Sequence, residues 1–422
     1  MATSSSYNFN LTRDEIFKET LELIGALSPG ETLKATQAET CTRTLQMMIK
    51  FWQADSIGMW VNKEIALFLE KNENSYLIGP SSPDHCADTW AKTELAAAAA
   101  SSATSITIDA TTGMGDTFDR DGIITATTPG AATNMTLTGT LVANGVATLS
   151  SERKILIYSD GNDSGVTFAI TGTDADGVTV TETITGPNIS TAYSSSDYKT
   201  ITGITISGAG TGNIEVGQVG DLIGIELDTG TLQWTYMGAA LSTTTTLIDA
   251  LTGAASIDNH IYSYTTRSQR PLEIQEVRTV RADGTEIPID IISRNEYMEL
   301  SNKTTTATAT SVYWNPQRTN AIMRVWPAGD DVQEYIRFTG KYPIQDMDVG
   351  TDNFDFPQEW LGPIAWQLAL WVAPKFGKVL DQGFRDDAKE KFDEVKDFDR
   401  EYAPVYIELG NDRHNYSNYS RY

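Results

Sequence analysis

The sequence predicts an α+β protein: a helical bundle built from both chain ends, a central β barrel or sandwich, and a second β-sandwich inserted into it. Three observations carry this expectation. Apolar residues recur at helical spacing from Thr12 to about Ser56, and again from Gln358 to Tyr402. Between these segments, strand-length runs alternate with turn residues. Within that middle, residues 115–218 become rich in Thr, Gly, Ser and Asp and nearly lose large aromatics. Helices far apart in sequence but alike in character are expected to pack together, with the β material looped out between them. The segments are then 1–75 (N-terminal helical part), 76–114 with 219–350 (central β domain), 115–218 (insert), 351–402 (C-terminal helical part) and 403–422 (extended tail).

The first helix is announced by Thr12-Arg13-Asp14-Glu15, a capping box in which the Thr hydroxyl and the Glu carboxylate satisfy each other's backbone N–H. Ile16, Phe17, Leu21, Ile24 and Leu27 follow at helical spacing, and Pro29-Gly30 is the expected stop. A second box, Thr36-Gln37-Ala38-Glu39, is expected to open a helix with the stripe Cys41, Leu45, Met48, Ile49 and Trp52. On that stripe Cys41 reads as a small core residue; two cysteines, Cys41 and Cys86, are too few for a disulfide framework.

At the other end, Pro357 or Pro363 can sit at a helix start, where a missing N–H costs nothing. Trp360, Leu361, Ile364, Ala365, Leu368, Leu370, Trp371 and Val372 make the next helix apolar nearly all round. That is more apolar surface than one small bundle is expected to bury. Trp360, Leu361, Ile364, Leu368 and Trp371 are therefore candidate subunit-interface residues. The last helix, about Asp381 to Tyr402, carries the stripe Phe384, Ala388, Phe392, Val395 and Phe398, and its charge run reads as a solvated face. Beyond it, Tyr406, Tyr416, Tyr419 and Tyr422 lie in a polar tail that is either a disordered end or an arm that orders on a neighbour, with the tyrosines as anchors.

Strands expected in the central domain include Leu232–Tyr236, Glu276–Val280 and Ala321–Pro327. In the insert, runs such as Gly165–Thr173 and Val178–Ile184, separated by Asp-Gly and Gly-Asn turns, suggest an immunoglobulin-like sandwich. Splicing it out joins Ser105–Gly113 to Val219–Leu227 as one apparent strand–turn–strand unit, so the joins are expected at an exposed tip.

The chain has 422 residues and a formal charge of −25, from 31 Lys+Arg and 56 Asp+Glu. Such acidity argues against a surface that grips nucleic acid, because phosphate binding needs clustered cations. No apolar run approaches the length of a membrane helix, and the N-terminus lacks a signal-peptide core. Catalytic and metal-binding patterns do not emerge. His85, His260 and His414 are widely separated, and Asp84-His85-Cys86 reads as a loop with chance neighbours. The glycine-rich Gly208–Gly212 lacks a following Lys-Ser/Thr, so no phosphate loop, cofactor or metal is expected.

An ordered set of segments carries a family resemblance. Gly25-Ala26-Leu27, Gly30-Glu31-Thr32 and Phe51-Trp52-Gln53-Ala54-Asp55 resemble the N-terminal helical unit of short-tailed-phage head-to-tail adaptors, the P22-type tail accessory factors or packaged-DNA-stabilisation proteins. Arg270-Pro271-Leu272, Ile292–Met298, Ser301–Thr304, Tyr313–Gln317, Val325-Trp326-Pro327 and Asp355–Trp360 are similar to the same family, in the right order and outside the insert. The resemblance implies a non-enzymatic homo-oligomeric ring, twelve-fold, below the portal protein at the head–tail junction of a virion. Such a ring retains packaged double-stranded DNA, lets it pass without specific binding, and offers a docking surface to tail nozzle and tail fibre proteins. Net acidity would let DNA slide; alternatively Arg278, Arg281 and Arg324 form a local DNA-contact ring, or ordinary sheet-face salt bridges. The insert, which the resemblance does not cover, reads as an outward decoration. The alternatives are a host-glycan-binding surface protein and an adaptor with cell-wall hydrolase activity.

Overall fold

The computed structural model of this chain describes residues 9–54, 62–347 and 349–398. Its helices are α1 (Arg13–Leu23), α2 (Ala35–Ala54), α3 (Arg294–Glu299), α4 (Leu361–Val372) and α5 (Gln382–Phe398). The protein is α+β and mostly β, with all of these helices except the short α3 near the chain ends. It divides into two compact units, Met1–Val61 with Ile344–Tyr422, and Asn62–Pro343.

In the first unit, Thr12 caps α1: its N–H and its hydroxyl both donate to the Glu15 carboxylate at 2.8 Å. Those bonds, the backbone one foremost, hold the Glu15 carboxyl below its usual range. The helix stops earlier than Pro29. Gly25, at φ +63°, supplies the left-handed residue that lets the Ala26 N–H close back onto Leu21 O. The box at Thr36 is also displaced. Helix α2 starts at Ala35, and it is Gln37 that reaches back, its side-chain oxygen accepting from the Lys34 N–H at 3.0 Å. Lys34 has no side-chain acceptor, so only the Gln37 half of a box forms, and the Ser/Thr-x-x-Glu/Gln pattern does not reveal it.

Helix α4 follows a single 3-10 turn, Gln358–Trp360, and Pro363 lies in its first turn, where no intrahelical bond is lost. Helix α5 is capped by Asp381, whose carboxylate accepts from the Phe384 N–H at 2.9 Å. The expected stripes converge on one core: Ile16, Phe17 and Leu21 from α1, Leu45 and Met48 from α2, and Ile364 and Leu368 from α4. Trp52 packs against Trp360 and Phe392, with ring centroids 6.1 and 4.8 Å apart. Ile344 and Met347 join this core, so the unit takes up the chain before residue 351.

The second unit begins at Asn62, inside the span assigned to helix. Asn62–Phe68 is a strand paired antiparallel with Tyr335–Lys341. Its apolar run Ile65-Ala66-Leu67-Phe68 is short and continuous, and periodicity alone does not separate such a run from a helix segment. The pair belongs to an eight-stranded barrel-like sheet, antiparallel except where Glu286–Ile291 runs parallel to Ser311–Asn315. A four-stranded sheet follows the order Thr231–Tyr236, Leu222–Leu227, His260–Tyr264, Ala91–Glu94.

Residues 119–218 form two further sheets, of four and six strands, closing on a common core of Ile124, Ile157, Phe168, Ile170, Ile204 and Val216 among others. The join before residue 119 is exposed at Gly113 and Asp116, as expected of a tip, but the join after residue 218 is not. Gln218, Val219 and Asp221 are buried, and Leu222–Leu227 pairs with Thr231–Tyr236 and His260–Tyr264 rather than with Ser105–Gly113. At this second join Asp221 is polar because it is paired in the interior, not because it faces solvent.

Candidate functional site

The candidate interface residues of α4 separate by helix face. Trp360, Leu361, Ile364 and Leu368 are at most 3% exposed and belong to the core that the chain's own helices form. They are corrected here from interface to core. Segments at both chain ends cover them, so the apolar surplus inferred from the helix alone is consumed internally. Trp371 alone is 39% exposed. Tyr406, Tyr416, Tyr419 and Tyr422 lie outside the described residues.

Trp371 does not stand alone. Phe51 of α2 lies beside it, ring centroids 6.2 Å apart, and Met47 is one turn earlier on α2; they are 60% and 49% exposed. These three side chains make an apolar patch that sequence analysis missed. Met47 and Phe51 fall just off the α2 stripe of Cys41, Leu45, Met48, Ile49 and Trp52. Their i,i+4 spacing on a second face was the available signal. At the end of α4, an open groove of about 660 Å³ is lined by Leu370, Pro374, Val379 and Leu380 with Lys378 and Arg385, and Val379 is nearly fully exposed.

In the second unit an aromatic cluster surrounds Phe68, with Trp90, Trp234, Tyr262, Tyr264 and Tyr335 in ring contact with it. His85 stacks on Trp234 at 4.0 Å, and its Nδ1 lies 2.6 Å from the Tyr264 hydroxyl. Burial, then the Arg267 charge, hold His85 well below the ordinary histidine range. Asp84 turns elsewhere and accepts from the Leu77 N–H at 2.6 Å. Cys86 is buried, and burial pushes its thiol far up; Cys41 in the helical core is pushed up to about 12. Asp84, His85 and Cys86 therefore serve three separate local structures. His260 is also buried, and desolvation, then Lys92, push it below the usual value.

Where residues 119–218 meet the rest of the unit lies a buried ion pair, Arg153 with Asp221, each side chain 0% exposed. The guanidinium donates to Val219 O at 3.1 Å, Ser151 Oγ at 2.7 Å and Thr265 O at 3.2 Å, and it also meets Thr117 Oγ1. Asp221 accepts from Thr265 Oγ1 at 2.7 Å and from Thr117 Oγ1. A side chain at Gly115 would collide with the Asp221 carboxylate. Around this pair Leu156, with part-buried Phe118, Tyr158 and Tyr193, packs into the cluster that holds Phe68, Tyr236 and Tyr264. Phe168 and Tyr198, the remaining aromatics of the insert, are in its core. Ion-pair partners 68 residues apart leave no spacing signal in the sequence.

Three arginines in or beside the eight-stranded sheet are ion-paired. Arg278 meets Glu286 at 3.3 Å, Arg337 meets the same Glu286 at 2.7 Å, and Arg281 meets Glu334 at 3.7 Å. No protein-family model and no curated protein sequence matches the chain. Among the described residues, no helix is long and apolar enough to cross a membrane.

Proposed function

We propose that this protein is a structural head-to-tail adaptor of a short-tailed phage virion. In this reading it forms a ring, twelve-fold by family resemblance, below the portal protein. The ring extends the channel for packaged double-stranded DNA and presents a surface to tail nozzle and fibre proteins. The observation that carries the reading is the exposed Met47, Phe51 and Trp371 patch on a helical unit assembled from both chain ends. A patch of large apolar side chains on a folded surface marks an interaction site. The ordered sequence resemblance supplies the partners, the portal and further copies of the chain. The formal charge of −25 supports a channel along which phosphates slide without sticking.

The finer reading of residues 115–218 as an immunoglobulin-like domain rests on two β-sheets sharing one core. Its burial against the central β structure supports a fixed projection on the ring rather than a tethered one.

Native mass spectrometry of the purified chain, alone and mixed with portal rings, tests the proposal. The expected result is a ring on the portal for the natural chain, and its loss for Phe51→Ser with Trp371→Ser, while circular dichroism shows the helices retained. A wild-type chain that stays monomeric and never joins the portal defeats the proposal.

A further inference from the structure

A half-open cavity of about 100 Å³ lies where residues 119–218 meet the rest of the β unit, and its charged lining residues are Glu152, Lys199 and Arg267. The walls are clamped to each other: Ser151 Oγ donates to Thr265 O at 2.6 Å, beside the buried Arg153–Asp221 pair. Side chains on both walls are therefore positioned by the fold before anything binds.

Each charged group keeps hydrogen-bonding capacity that the chain does not use. The Arg267 side chain is only 16% exposed, yet its Nε has no hydrogen-bond partner. Among the described residues Asp197 alone pairs with the guanidinium, at 3.8 Å, too long for a hydrogen bond, and that oxygen accepts from the Tyr236 hydroxyl at 3.1 Å. The Tyr264 hydroxyl also meets Arg267, which still leaves most of five donors without an acceptor. A largely buried guanidinium so short of acceptors calls for one from outside the chain. Lys199 stands where strand Tyr198–Ile206 shifts register against Val146–Arg153, and such bulges re-aim side chains. Its ammonium donates to Leu149 O at 2.9 Å and Ser150 O at 3.3 Å, leaving one N–H of three. Glu152 Oε1 accepts from the Ala175 N–H at 3.3 Å, and among the described residues nothing bonds its Oε2. The charges of both cations reach Glu152 with no ion pair to either, so the three groups stand around the cavity rather than closing it.

We propose that this cavity binds one protonated phosphate ion. Its volume is that of roughly three waters, which admits a small ion and excludes a sugar or nucleotide. Two cations against one carboxylate give the lining a local positive excess in a chain of charge −25, so the ligand is an anion. Arg267 and Lys199 donate to phosphate oxygens, the pairing for which guanidinium and ammonium groups suit best. Glu152 selects among anions: its free oxygen accepts from the P–OH group, whereas fully ionised sulfate sets an oxygen against a carboxylate. The site lies wholly within the second unit and does not depend on the adaptor reading.

Inorganic phosphate is the probe, titrated calorimetrically into the full chain in a phosphate-free buffer, with sulfate and methyl phosphate as comparisons. One phosphate per chain is expected, with sulfate about ten-fold weaker or worse, as the loss of one hydrogen bond to a charged group implies. Methyl phosphate should also bind more weakly, because the ester carbon adds volume that the cavity does not have. Lys199→Met should weaken phosphate about ten-fold or more while the circular dichroism spectrum is kept. Glu152→Gln should bring the two affinities together, since an amide can donate to sulfate; this ratio does not depend on how much of the variant folds. The absence of saturable phosphate binding, or undiminished binding by Lys199→Met, overturns the site. Sulfate binding as tight as phosphate in the wild-type chain, or a preference that survives Glu152→Gln, overturns the selection by Glu152. Tighter binding of methyl phosphate overturns the free ion as ligand in favour of a phosphomonoester.

Discussion

Replacing Asp221 by Asn leaves the buried Arg153 guanidinium without its counter-charge while keeping the side chain's shape. Both side chains are fully buried, so water cannot take the place of the lost carboxylate. Removing one partner of a buried pair costs about 3–5 kcal/mol, far more than the few tenths typical of an exposed pair. The contacts that Arg153 keeps, to Val219 O and Ser151 Oγ among others, are to neutral oxygens and supply no counter-charge. The loss should fall on the β unit. Urea titration followed by hydrogen exchange reads it directly when the probes are amides of Ile155–Asn162 and His260–Tyr264, on either side of the junction. Protection of both should fall together. Arg153→Met with Asp221→Leu should recover part of the loss, since an apolar pair carries no unpaired charge. A cost below about 1 kcal/mol for Asp221→Asn would refute the reasoning, because it would mean that the pair is hydrated.

Two further outcomes follow from the same structure. Burial, reinforced by the charges of Asp84 and Glu73, raises the Glu70 carboxyl from 4.5 to about 7. The folded chain then holds this proton more tightly than the unfolded chain. The resulting stabilisation is complete below pH 4.5 and is lost as pH rises through about 7, so Glu70→Gln should flatten the stability profile in that window. Leu368→Ala removes a fully buried side chain from the helical core and should destabilise that unit by about 2–5 kcal/mol, measured by exchange protection of α1 and α4. A surface-like cost under about 0.5 kcal/mol would return Leu368 to the interface.

Much of the fold is legible locally. The α1 stripe Ile16, Phe17 and Leu21 and the α2 stripe Cys41, Leu45 and Met48 are all buried as their spacing requires, because a helix exposes its periodicity within a few turns. The cap at Thr12 was equally readable, since its partner is three residues away. Two errors lie where a local pattern fits two answers: Gly25 or Pro29 as the stop, and strand or helix at Ile65–Phe68. The interface residues of α4 failed for another reason. An all-round apolar helix states that it is covered, not by what, and here α1, α2 and α5 cover all but Trp371.

The candidate sites were the least legible. Met47 and Trp371 sit in different helices, and Arg153 ends a strand while Asp221 lies in the connection before Leu222–Leu227. The sequence by itself determined the α+β class, the helical character of both ends and the β character of the middle. These follow from hydrophobic period and turn chemistry, which act over a few residues. Only the tertiary structure decided which apolar faces remain uncovered and which charges are buried together. Those outcomes depend on contacts between segments up to hundreds of residues apart, and spacing along the chain holds no record of them.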